Sequence, residues 1–228
     1  MIKNILFDLD NTLLDFHLAE RIALTKTLLH LSIEPKEEIL DRYSEINSSQ
    51  WKLLELGKLT REEVRVNRYK LLFEEIGVDR CASSATKYYE NLLGIGHYFI
   101  SGAEELLKIL SESYRLYLVS NGLTAVQKPR IESACMAGYF KDIFISQMVG
   151  FNKPSVEFFD HCFRKIPEFK NNETMIVGDS LTSDIKGGKN AGITTVWFNP
   201  EDTENFSDVI PDYEIDRLLD LLPLLETI

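Results

Sequence analysis

The chain reads as an α/β protein built on a doubly wound parallel sheet, with an all-helical domain inserted after the first strand. Three observations predict this. Short apolar runs stop at polar turns, helical patterns lie between them, and residues 16–95 carry helical periodicity with no convincing strand. The first run, residues 2–7, ends on Asp8. Residues 115–119 stop at Ser120-Asn121-Gly122, residues 142–146 follow, residues 174–177 stop at Gly178-Asp179, and residues 194–198 stop at Asn199-Pro200. Each has the length, β-branching and two-sided apolarity of a strand buried in a parallel sheet. Between them, residues 103–110 open a helix after Ser101-Gly102. Pro154 sits where a first helical turn tolerates proline, and residues 181–191 form a helix closed by Gly192.

The insert divides into four helical stretches: residues 19–31, then 36–54 opened by Pro35, then one capped by Thr60 with Glu63 and running to about Ile76, then one ending at Gly94. It is too long for a strand-to-strand crossover, so the expected organisation is a core of residues 1–15 and 96–228 and a helical domain of residues 16–95. Residues 218–225 read as a docking helix.

The chain has 228 residues with 36 acidic and 25 basic, a formal net charge of −11. That balance argues against a nucleic-acid polymer as partner, which needs Lys and Arg against its phosphates. It leaves room for a small phosphorylated substrate. No apolar stretch approaches the roughly 20 residues of a membrane span, and the start turns acidic at Asp8 too early for a signal peptide. Cys81, Cys135 and Cys162 are odd in number and lack a metal-type spacing, so they read as reduced thiols. A soluble cytoplasmic protein, monomer or homodimer, is expected. His17, His30, His97 and His161 are scattered, and the glycines at 94, 96, 187 and 188 match neither a dinucleotide loop nor a P-loop.

Chemistry concentrates at strand ends, where open α/β sheets bind their ligands. Asp8, rigid and exposed at the first strand's carboxyl end, suits in-line attack as a carboxylate nucleophile. Asp10 has left the strand and can curl back to protonate a leaving oxygen and then activate water. Ser120 offers a hydroxyl, and Asn121 and Gly122 offer amides, to phosphate oxygens. Lys153 is a compact cation suited to phosphate and to keeping Asp8 ionised. Asp179 and Asp184, with Asp8, form a carboxylate cluster whose repulsion demands a cation, and hard oxygen ligands point to Mg²⁺.

Asp8-Leu9-Asp10-Asn11-Thr12, Ser120-Asn121-Gly122, Asn152-Lys153-Pro154 and Gly178-Asp179 through Asp184 resemble, in order, the four motifs of the haloacid dehalogenase-like (HAD) hydrolase superfamily. The helical insert resembles the cap of its subfamily I, and the resemblance covers essentially the whole chain. It implies a Rossmann-like core, Asp8 as nucleophile and Asp10 as acid/base. Mg²⁺ would be held by Asp8, the Asp10 carbonyl and Asp179, with Asp184 orienting the metal water or Lys153. The same resemblance implies that Leu9, Ser120, Asn121, Gly122 and Lys153 surround the phosphate. More local features are similar to bacterial pyrimidine 5′-nucleotidases: Trp51, the Leu56-Gly57 to Glu63 stretch, Gly150-Phe151-Asn152-Lys153-Pro154, the Asp184 to Gly188 stretch and Trp197-Phe198-Asn199-Pro200. N-acylneuraminate-9-phosphatases share much of that core. The expected activity is a Mg²⁺-dependent phosphomonoesterase acting on a nucleoside 5′-monophosphate, the alternative being a sugar-phosphate phosphatase. The cap is expected to choose the substrate, and its aromatics to be mostly core.

Overall fold

A computed structural model describes residues 1–228. The chain divides into two compact units, one of Met1–Phe16 with His97–Ile228 and the other of His17–Gly96.

The first unit holds a six-stranded, wholly parallel sheet. Its strands are β1 (Asn4–Phe7), β2 (Arg115–Ser120), β3 (Phe140–Ile145), β4 (Thr174–Gly178), β5 (Thr194–Phe198) and β6 (Tyr213–Ile215), in the order β3-β2-β1-β4-β5-β6. The order reverses direction beside β1, so the ends of β1, β2 and β4 frame the switch-point crevice. Side chains alternate across the sheet. Ile5, Phe7, Leu116, Leu118, Met175 and Val177 pack one layer with Leu106, Leu107, Leu218 and Leu221. Leu6, Tyr117, Val119 and Ile176 pack the other with Phe158, Phe159 and Cys162. Burial on both faces is why these strands read as continuous apolar runs.

The second unit is helical. It contains α1 (Phe16–His30, its first residue belonging to the first unit), α2 (Glu37–Glu55), α3 (Arg61–Glu75) and α4 (Ala82–Leu93). Thr60 and Glu63 form a reciprocal capping box at the start of α3. The buried faces carry Leu24, Leu28, Leu40, Ile46, Leu72 and Phe73, and the rings of Tyr43, Tyr69 and Tyr89 pack edge-on or tilted with centroids 5.0–5.9 Å apart. These tyrosines are core. Among them lies a buried polar network. Arg68 sits 4.8 Å over the Tyr89 ring and donates to Asn47 and Glu90 at 3.1 and 3.3 Å, while Asn47 Nδ2 donates to Glu20 at 2.6 Å. Burial raises the Glu20 carboxyl against the opposing pull of Ser44, Arg68 and Asn47.

The remaining helices belong to the first unit: α5 (Ala103–Leu110), α6 (Thr124–Ser133), α7 (Ser146–Val149), α8 (Val156–Phe163), α9 (Lys186–Asn190) and α10 (Leu221–Leu225). Four details differ from the sequence expectations. Pro154 precedes a helix instead of opening it, because Ser155 is the N-cap of α8 and its Oγ accepts from Phe158 N at 3.3 Å. Residues 181–191 are a π-turn (Leu181–Ile185) running into α9, not one regular helix. The docking helix is a 3₁₀ turn (Leu218–Asp220) followed by α10. The sequence singled out neither β6 nor α6, which runs unbroken through Pro129. No helix is long and apolar enough to cross a membrane.

Candidate active site

The crevice is built first by the turn after β1. Asp8 N donates to Val177 O at 3.0 Å, which ties the nucleophile candidate to β4. Asn11 then adopts a left-handed conformation (φ 58°) that its short polar side chain tolerates, and its Oδ1 accepts from Phe16 N at 3.0 Å. Leu9 is wholly buried in the core and its carbonyl accepts from Leu13 N and Leu14 N. Only its remaining main chain is available to a ligand.

Lys153 comes from the loop before α8 and is almost completely buried. Its Nζ donates to Asp8 Oδ1 at 2.5 Å, to Asp184 Oδ1 at 2.6 Å and to Val119 O at 2.9 Å. An ammonium has three protons, and these three acceptors use them all, so a phosphate oxygen reaches Lys153 by sharing or displacing one of them. Burial alone would lower the Lys153 pKa, but the Asp184 and Asp8 carboxylates outweigh it and hold the ammonium above its ordinary range. The loop is pinned by Asn121, whose side chain pairs with the Lys153 main chain in both directions, at 2.9 and 2.8 Å. The Asn121 side-chain amide is therefore spent on the protein. Ser120 Oγ accepts from Gly122 N at 3.1 Å, which leaves the hydroxyl proton to be donated.

Asp179 leaves the end of β4 braced by two groups. Thr12 Oγ1 donates to Asp179 Oδ1 at 3.3 Å and accepts from Asp179 N at 3.1 Å, and Trp197 Nε1 donates to Asp179 O at 2.8 Å. Asp184 packs back onto the same strand end, where a Cβ on Gly178 would lie 2.4 Å from its carboxyl carbon. Only glycine permits that approach.

One oxygen each of Asp8, Asp179 and Asp184 lie within 4.8 Å of one another. Burial raises the Asp8 carboxyl well above its ordinary value, against Lys153 and reinforced by Asp184, Asp179 and Asp10. Burial also pushes Asp179 up to about 7, with Asp184 adding to it. One ammonium therefore does not neutralise the cluster. A donor set made wholly of hard carboxylate oxygens, in charge excess, fits a small divalent cation such as Mg²⁺. Asp184 has both oxygens engaged, Oδ1 by Lys153 and Oδ2 by Ser180 N at 3.2 Å, which leaves Asp8 and Asp179 as the freer carboxylates.

Asp10 is half-buried at the crevice. Its Oδ1 accepts from Arg130 Nη1 and its Oδ2 from Gln127 Nε2 at 2.5 Å. Sequence reasoning missed both partners. They lie three residues apart on α6, the helix that follows the Ser120-Asn121-Gly122 turn. Two polar residues on one helical face directly after that turn were the available signal.

Fold and site together define a hydrolase crevice of the α/β type, with a buried nucleophile-type carboxylate at the central strand's end. A family model described as Haloacid dehalogenase-like hydrolase matches residues 5–198, and the chain belongs to that family. It is 39% identical over 223 residues to the HAD-hydrolase YfnB of Bacillus subtilis, covering 98% of this chain and 95% of that one. The crystal structure of YfnB bound to magnesium superposes with a TM-score of 0.94 over 98% of each chain. It is also 39% identical over 225 residues to the pyrimidine 5′-nucleotidase PynA of Streptococcus pneumoniae, covering 98% and 95% of the two chains.

Proposed function

We propose that this enzyme is a Mg²⁺-dependent phosphomonoesterase that works through an aspartyl-phosphate on Asp8 and acts on a pyrimidine nucleoside 5′-monophosphate. The observation that carries the reaction class is the second carboxylate, Asp10, fixed beside Asp8 and close enough to raise its pKa. A halide leaving group needs no proton, so a dehalogenase has no use for it. An alkoxide does.

Asp8 and Asp179, with the main-chain carbonyl of Asp10, would hold the cation. Bound there, it would polarise a phosphoryl oxygen and screen the approach of one anion to another. The chain's own groups do the rest. Ser120 donates its hydroxyl proton to the phosphate, together with the main-chain amide of Asn121, while the Gly122 amide holds the Ser120 hydroxyl in place. Lys153 keeps Asp8 ionised and, with Asp184 behind it, fixed in position. Asp8 attacks phosphorus as the ester P–O bond breaks, and Asp10 gives its proton to the departing oxygen. Water then attacks the acyl-phosphate, Asp10 takes its proton, and Asp8 is regenerated.

The core groups grip only the phosphate, so selectivity is assigned to the helical unit. The nucleotide assignment is supported by the likeness to PynA. It is supported again by the pyrimidine 5′-nucleotidase YjjG of Escherichia coli, 27% identical over 221 residues. Phosphate release across nucleoside monophosphates, hexose phosphates and sialic acid 9-phosphate, with and without Mg²⁺, tests both levels. The expected result is a Mg²⁺-dependent kcat/KM highest for dTMP or UMP. A sugar phosphate well ahead would overturn the nucleotidase reading, and undiminished turnover in chelator would overturn the metal-dependent one.

A further inference from the structure

We propose that Gln127 and Arg130 are positioning residues that hold Asp10 in register for proton transfer to and from the leaving group. This rests on the acid/base reading of Asp10. The two side chains make a closed network. Arg130 Nη1 donates to Asp10 Oδ1 and to Gln127 Oε1 at 3.0 Å, and Gln127 Nε2 donates to Asp10 Oδ2 at 2.5 Å and to Ser120 Oγ at 2.9 Å. The same amide thus joins the proton-transferring carboxylate to the hydroxyl proposed to meet the phosphate.

Three observations mark the network as a built feature. Arg130 is 0% and Gln127 2% exposed, an expensive location for a guanidinium without a fixed partner. The Phe16 ring lies against the guanidinium, 5.8 Å from its centroid to Cζ, a cation–π contact that further fixes the Arg130 side chain. Gly122 is required for Gln127 to reach Asp10, because a Cβ there would meet Gln127 Nε2 at 2.2 Å. Chemically the two donors divide the carboxylate. Arg130 can only donate, which commits Oδ1 to accepting throughout the cycle. Oδ2, held by a neutral amide, is the oxygen that gives its proton to the departing alkoxide and later receives one from the attacking water.

A loosened Asp10 would be felt most where protonation of the leaving group matters most. The readout is kcat/KM for a nucleoside monophosphate against p-nitrophenyl phosphate. That parameter reports only steps up to release of the alcohol, and the activated phenol leaves without help. General acid catalysis contributes roughly 10²–10⁴-fold, and Asp10→Asn should lose about that on the nucleotide while largely sparing the aryl ester. Arg130→Met and Gln127→Ala should show the same selectivity at about tenfold, and Arg130→Lys should recover part of it. Arg130→Met empties a buried site, so Gln127→Ala carries the test if that variant does not fold. Lost contacts to Ser120 affect both substrates alike and cancel in the ratio. Equal fractional losses on the two esters in the Gln127 and Arg130 variants, with Asp10→Asn still selective, would overturn the positioning role alone. Equal losses in Asp10→Asn would overturn the acid/base reading and this inference with it.

Discussion

Lys153 is the residue on which the electrostatics of the site turn. It is the only cation bonded to Asp8 and Asp184, and both carboxylates lie out of water. Removing one partner of such a buried group costs about 3–5 kcal/mol, because the carboxylates left behind have no counter-charge. Lys153→Met should therefore abolish phosphate release and lower the urea midpoint in chelator. The lost stability should shrink at acid pH, where the abandoned carboxylates protonate. An unchanged midpoint at neutral pH would contradict the account. The positions of Asp8, Asp10, Ser120, Lys153 and Asp179 were legible in the sequence because each lies at or just beyond a strand end or shortly before a helix, a place that local pattern reveals. Gln127 and Arg130 were not. Their spacing puts them on one face of α6, but their role exists through contacts with Asp10 spanning 117 and 120 residues, which that local pattern does not assign.

Among the elements, strands buried on both faces were readable as apolar runs. β6 was not, since it has three residues and only Ile215 is buried. α6 was hidden by Pro129 and by the polar residues that serve the site. The ends of elements carry separable costs. The capping box at Thr60 is exposed and far in sequence from the site motifs, so Thr60→Ala should cost about 1 kcal/mol of stability and leave kcat/KM unchanged. A chemical denaturation curve and one assay check both halves. Gly178→Ala should behave in the opposite way. A Cβ at the end of β4 collides with the Asp184 carboxyl, so activity should fall at least tenfold as Lys153 loses its second acceptor. Wild-type activity in that variant would contradict the close packing of β4 against Asp184.

At the scale of the whole molecule, the uncompensated carboxylate cluster couples stability to pH and to cations. Asp8 and Asp179 have pKa values raised on folding, Asp179 to about 7. A raised carboxyl binds more protons in the folded state than in the unfolded one. Its stabilising contribution is therefore full below the unfolded value of about 3.9 and is lost as pH rises through the folded value. In chelator, this cluster should make the melting temperature fall between pH 5 and 8. Glu63, Glu75 and Glu173, lowered by their hydrogen bonds, act below that window and with the opposite sign. Because a cation needs the deprotonated carboxylates, the rise in melting temperature on adding Mg²⁺ should be larger at pH 8 than at pH 5. Asp179→Asn should flatten both trends. A Mg²⁺ effect independent of pH would contradict the assignment of the cluster.

The proposed chemistry requires the phosphoryl group to pass through Asp8. Mixing enzyme with Mg²⁺ and a labelled nucleoside monophosphate, quenching in acid during turnover and reducing with borohydride tests it directly, because the reagent converts an acyl-phosphate carbon to an alcohol. The expected result is a quench-stable, hydroxylamine-labile phosphoenzyme whose reduced site maps by mass spectrometry to the peptide bearing Asp8, and its disappearance in Asp8→Asn. Full turnover with label on no residue, or on a residue other than Asp8, would contradict it.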